Sequence, residues 1–91
     1  MIVAKVIGNV VSTRKEDTLI GFKLLLLQAV EPADESLVGE KFVAVDTLGA
    51  GISDLVLVVR GGGARVISDV HRNAPIDSAI VGIIDTVDVA R

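Results

Sequence analysis

The sequence has no cysteine, no tryptophan and no tyrosine, and only one histidine, two phenylalanines and two prolines. The missing cysteines exclude disulfide frameworks and cysteine–metal sites. With two aromatic residues there is no platform on which nucleic-acid bases could stack. The single histidine, His71, has no second histidine at ligand spacing and no orienting group for a Ser–His–Asp arrangement, so it reads as a solvated loop residue. No apolar run is long either: Leu24–Leu27 and Leu55–Val59 are among the longest, far below the ~20 residues of a membrane helix. No signal peptide is expected, because a strand pattern begins directly at Met1-Ile2-Val3. The net charge of −3 weighs against nucleic acid and anionic membranes as partners.

What is present is apolar and β-branched. Hydrophobic residues make up 51% of a 91-residue chain, with mean hydropathy +0.64, and Val and Ile number sixteen and nine. The length fits one domain spanning 1–91. A folded chain of this mass exposes roughly 5,000 Å², against roughly 14,000 Å² unfolded, which allows one modest core. That core cannot hide so much apolar surface, so oligomerisation is expected.

Five strands are predicted in order. The first is Ile2–Ser12, with Ile2, Ala4, Val6, Gly8 and Val10 on one face and Gly8 marking a bend or bulge. A charged turn, Thr13–Thr18, leads to a second strand at Leu19–Val30, where Gly21 argues against the rival helix. Glu31–Ser36 reads as an acidic, mobile linker. Strand three is Lys41–Asp46 and strand four Leu55–Arg60. One short helical turn fits within Gly62–Ser68, and a polar connection, Asp69–Asp77, follows it. The last strand is Ser78–Val89, with Ile80, Gly82 and Ile84 sharing a side. The fold class is therefore all-β: a small five-stranded OB-like barrel, whose closure removes sheet edges.

Five of the nine glycines fall in two loops, Leu48-Gly49-Ala50-Gly51 and Arg60-Gly61-Gly62-Gly63. The first lacks the third glycine and following helix of a dinucleotide fingerprint. The second lacks the Gly-Lys-Ser/Thr of a phosphate loop, and its flanking Arg60 and Arg65 read as subunit contacts. Ile83-Ile84-Asp85-Thr86 is similar to an aspartic protease loop, but Val87 stands where glycine is required.

Taken in order, several segments resemble the EutN/CcmL family, the pentameric vertex proteins of bacterial microcompartment shells, carboxysomes among them. Ile2–Thr13 resembles the family's first strand, and Leu19-Ile20-Gly21-Phe22-Lys23-Leu24-Leu25 its L-x-G-x-K-L-L strand. Val43–Gly51 resembles V-A-V-D-x-V-G-A-G. Val56–Gly61 with Ala64-Arg65 resembles V-L-x-x-x-G-S-S-A-R, and Pro75–Asp85 resembles P-V-D-A-x-I-V-G-I-V-D. Two loops depart from the pattern. Ile52-Ser53-Asp54 replaces a variable residue followed by Gly-Glu, and Gly62-Gly63 replaces a serine pair.

The resemblance implies a cyclic homo-pentamer without enzymatic activity or cofactor. It would work beside hexameric and trimeric shell proteins in the cytoplasm, within a microcompartment shell. It also implies a fivefold opening lined by Gly49, Ala50 and Gly51, with Ser53 nearby, because five copies converging on an axis leave room for little beyond backbone. On that expectation, Ala50→Trp impairs closure of the pentamer or blocks the opening, and leaves the barrel intact. Arg60, Arg65, Asp46 and Asp85 are the expected subunit contacts. The alternative is an OB-type module binding nucleic acid or a small anion through Arg60, Arg65 and Arg72.

Overall fold

The computed structural model describes residues 1–11, 22–61 and 77–90. The charged turn, the start of the second predicted strand, the helical turn at Gly62–Ser68, Arg65, His71 and Arg72 lie outside the described residues, as does Ser12.

Five strands form: β1 Ile2–Val10, β2 Lys23–Val30, β3 Leu37–Asp46, β4 Leu55–Arg60 and β5 Ser78–Ile84. They close into a barrel in the order β1-β2-β3-β5-β4. All neighbours are antiparallel except β3 and β5, which meet in parallel through the single pair Val45–Ala79. The leucine run 24–27 is strand because both its edges are paired, to β1 and to β3, and its side chains alternate. Leu25 and Leu27 are buried, whereas Leu24 and Leu26 are half-buried.

The barrel interior is filled by Leu25, Leu27, Val6, Val56, Val58 and Ile80, each essentially inaccessible to solvent. Burying each such side chain contributes about 1.5–3 kcal/mol. A second, smaller cluster lies at the β3–β5 seam, where Phe22, Leu24 and Val59 pack on Val45 and Ala79. The apolar faces on both sides of these strands thus have two destinations.

Two bulges reset the alternation read from the sequence. β1 is offset between Val6 and Gly8, leaving Ile7 without an opposite number on β2. Gly8 therefore lies across from Leu26, on the other face from Leu27 and its partner Val6. β5 is offset in the same way at Val81, which puts Gly82 across from Leu57. In both places an added Cβ would sit 3.6–3.7 Å from the facing leucine. Gly8 does mark a bulge, but it and Gly82 do not share the faces assigned by simple alternation.

Strand boundaries also differ from expectation: β1 stops at Val10 rather than Ser12, Phe22 precedes β2 rather than lying within it, and β3 and β5 shift further. β3 begins at Leu37, where Leu37 pairs with Val30, and absorbs an irregularity through Gly39, whose φ is +75°. The Gln28 amide donates to the Gly39 carbonyl at 2.9 Å across that irregularity. The Glu31–Ser36 loop is exposed, as expected, but it is closed by hydrogen bonds rather than left as a loose linker. Glu31 N–H donates to Ser36 O (2.9 Å), Glu35 N–H to Glu31 O (2.7 Å) and Ser36 N–H to Asp34 Oδ1 (2.9 Å). β5 ends at Ile84 rather than Val89, because its ladder with β4 runs out at the Leu55–Ile84 pair.

Candidate functional site

The loop joining β3 to β4 is built from the chain's own carboxylates. Asp46, the last residue of β3, is 4% exposed. Its Oδ1 accepts from the Leu48 N–H at 2.9 Å, and its Oδ2 from the Ala50 N–H at 2.8 Å. The first is a turn in which an aspartate side chain binds the backbone two residues on. Asp54, which precedes β4, reaches back instead: its Oδ2 accepts from the Gly51 N–H at 2.8 Å, and its N–H donates to Gly51 O at 3.0 Å. Lys23 closes the loop from β2, donating from Nζ to the Ala50 carbonyl at 2.7 Å.

The loop is also tied to the bulged strand. Ser53 N–H donates to Val6 O at 2.8 Å, and Val6 N–H to Asp54 O at 3.0 Å. These two bonds extend the β1–β4 ladder by one step beyond Lys5–Leu55. The chain turns through Gly49 at φ +88° and Ser53 at φ +75°. Gly49 needs its missing Cβ for that conformation, whereas Ser53 adopts it at a cost. Ser53 stands where the resemblance expects glycine, so the conformation survives the loss of the residue best suited to it.

The expected site residues do not all face outward. Gly49 and Ser53 are exposed and Gly51 is half-buried, on the outer side of the loop. Ala50 is 0% exposed and packs in the barrel core with Ala4, Leu25 and Val56. Its side chain therefore cannot line an opening, and Ala50→Trp cannot leave the barrel intact. Asp46 is corrected too: with 4% of its surface accessible and both oxygens bound to its own loop, it has nothing to offer a neighbouring subunit. Arg60 and Asp85 are exposed. Arg60 lies at the opposite end of β4 from the glycine loop, its guanidinium 4.5 Å from the centre of the Phe42 ring.

Sequence reasoning missed Leu48 and Ile52, which flank the loop and are 50% and 54% exposed. The signal was present: both are large apolar residues inside a glycine turn, where no strand can direct them into the core. Eight further large apolar side chains are exposed among the described residues, including Leu37, Val43, Ile83, Val87 and Val89. Those residues hold no cluster of acids and histidine able to ligate a metal, and no helix among them is long and apolar enough to cross a membrane.

The family model described as "Ethanolamine utilisation protein EutN/carboxysome" matches residues 1–85. The chain belongs to the EutN/CcmL family. Among relatives in that family, the carboxysome shell vertex protein CcmL of Synechococcus elongatus is 46% identical over 89 residues, covering 98% of this chain and 88% of the relative. The microcompartment shell vertex protein PduN of Salmonella typhimurium is also 46% identical, covering 94% of this chain and 97% of the relative. The solved structure of the Rhodospirillum rubrum pentameric microcompartment shell protein GrpN superimposes with a TM-score of 0.88 at 41% identity, covering 99% of this chain and all of that one. EutN/CcmL relatives thus share this barrel across its full extent.

Proposed function

We propose that the chain is a structural, non-enzymatic protein that closes into a ring of five and caps the vertices of an icosahedral bacterial microcompartment shell. The observation that carries this reading is the near-complete match to proteins named as shell vertex proteins. The surface supports it. A lone barrel with ten large apolar side chains exposed among its described residues leaves apolar patches that a ring would cover. Hexagonal shell proteins tile flat facets, and closing such a tiling requires fivefold units at the vertices. A heterologous contact whose rotation closes supplies one.

In this reading residues 1–91 act as one vertex domain in the cytoplasm, within the shell. Its neighbours are hexameric and trimeric shell proteins, and it needs no cofactor, nucleic acid or membrane. Gly49, Gly51 and Ser53, on the outer side of the β3–β4 loop, face the fivefold opening. Arg60, Arg65 and Asp85 meet neighbouring subunits. Co-expression with a hexagonal shell protein tests the role. Electron microscopy should show closed polyhedra when this chain is present, and open sheets or tubes when it is omitted. Equally closed shells without it would refute the proposal.

A further inference from the structure

A free strand edge and a free length of chain lie at the same end of the barrel. β1 runs past the start of β4: their ladder stops at Lys5–Leu55, and Val6 adds one step through Ser53 and Asp54. Residues 7–10 continue beyond, with Gly8, Asn9 and Val10 paired to β2 on one edge. The other edge, on the β4 side, has no strand partner among the described residues. Past the bulge, Gly8, Asn9 and Val10 carry neither charge nor proline, the residues that guard an edge against pairing.

The free length of chain is residues 85–90. They follow β5 at this same end, where Ile84 pairs with Leu55. All are exposed, and none has a strand partner among the described residues. Thr86, Val87 and Val89 are β-branched and suit a strand. Six of the ten exposed large apolar side chains gather at this end: Val11, Leu48, Ile52, Ile83, Val87 and Val89. Exposed apolar surface so concentrated marks a contact with another protein.

A ring contact joins two different surfaces of the same chain. In the pentamer the glycine-loop end of every subunit turns toward the opening, so these ends lie close together between neighbours. Within one subunit, the loop at 51–54 runs between the tail and the free edge, bonded to Val6 through Ser53 and Asp54. The chain's own tail is thus held off the edge, and a neighbour's tail is not. Six extended residues span about 20 Å and the four-residue edge about 13 Å, so a tail can cross between subunits and still cover the edge.

Resting on the pentamer reading above, we propose that residues 85–90 of each subunit add as a strand to the free edge of β1, at residues 7–10, on the next subunit. Main-chain hydrogen bonds hold the tail, as in other cases where an extended segment joins an exposed sheet edge.

The test is dilution of the full-length chain, with ring size read by native mass spectrometry and the fold by circular dichroism. In a paired strand the N–H groups of successive residues point to opposite edges. Val87→Pro and Asp88→Pro therefore differ: one removes a donor turned toward β1, the other a donor turned away. Proline keeps the residue before it extended, so neither change breaks the strand conformation. One of the two should raise the concentration of half-dissociation at least about tenfold, the other less than about threefold, with the barrel spectrum unchanged. The chain has no cysteine, so Asn9→Cys combined with Val87→Cys places two unique thiols. A short bismaleimide should then link chains to one another, up to five on a denaturing gel. Proline variants that both dissociate like wild type, or that weaken the ring equally, would overturn the strand pairing while the pentamer stands. Thiols that fail to link, or that link only within one chain, would do the same. A wild-type chain that is monomeric throughout would remove the pentamer reading together with this one.

Discussion

Replacing Asp46 by asparagine keeps its size and shape and removes one of its two acceptors. The carboxylate now receives the Leu48 and Ala50 N–H groups at 2.9 and 2.8 Å. An amide offers one oxygen and one NH₂. Whichever way it turns, one backbone N–H faces another donor. The least costly choice keeps the oxygen on Ala50, which is fully buried, and leaves the exposed Leu48 to water. Even so, a charge-assisted bond becomes a neutral one and a second bond is lost, for a cost of about 2 kcal/mol. Asp46→Ala strands the Ala50 N–H in the core and should cost about 3–4 kcal/mol. For a domain of this size, the asparagine variant should melt roughly 8–16 °C below wild type. Both variants should be compared with wild type by thermal and guanidinium unfolding at one fixed protomer concentration, since assembly shifts the midpoint by mass action. An asparagine variant within about 0.5 kcal/mol of wild type would refute the account of the loop as a structure clamped by Asp46.

Ser53, at φ +75°, should separate glycine from β-branched residues. Ser53→Gly relieves roughly 1 kcal/mol of strain against a comparable gain in unfolded-state freedom, so its unfolding midpoint should match or exceed wild type, whereas Ser53→Val should fall below it. Ala50→Trp should destroy the barrel, because an indole has no space at a side chain buried in the core; the overpacking is expected to cost several kcal/mol, a large share of a domain's stability. A native circular dichroism spectrum with an assembled ring would contradict that placement. Asp34 is held below its ordinary carboxylate pKa by the Ser36 hydroxyl and backbone N–H, so any stability it adds is present above its unfolded pKa and lost as pH falls through the folded value. Ser36→Ala removes the hydroxyl and should raise the Asp34 pKa toward its ordinary value, read by carboxyl carbon NMR; an unchanged titration would show that the hydroxyl is not the cause.

The sequence revealed this barrel where local pattern and turn chemistry agree. β4 was legible to the residue, Leu55–Arg60, because an apolar run sits between two glycine loops. β2 was legible as strand despite its leucines, because Gly21 and a plausible partner outweighed helix propensity. Alternation failed at Gly8 and Gly82, since a bulge displaces the register by one residue and period-two patterning carries no record of it. The end of β5 was overestimated because Val87 and Val89 continue the pattern where the partner strand has stopped. Closure through the parallel Val45–Ala79 pair joins strands far apart in the sequence, beyond what local pattern can report. In the glycine loop the type of structure was read correctly and the direction of its side chains was not. Two flanking glycines made Ala50 look like backbone lining, yet they let the chain turn its methyl into the core. Asp46 looked free for a neighbour because strand alternation does not mark a carboxylate already bound to N–H groups two and four residues ahead. The Asp-x-Leu-Gly order was the available hint, as the start of an aspartate-stabilised turn.

A ring of five is read directly by native mass spectrometry of the purified chain at micromolar concentration. One dominant species of five times the 9.5 kDa chain mass is expected. A single species at the mass of one chain, or of two, would contradict it.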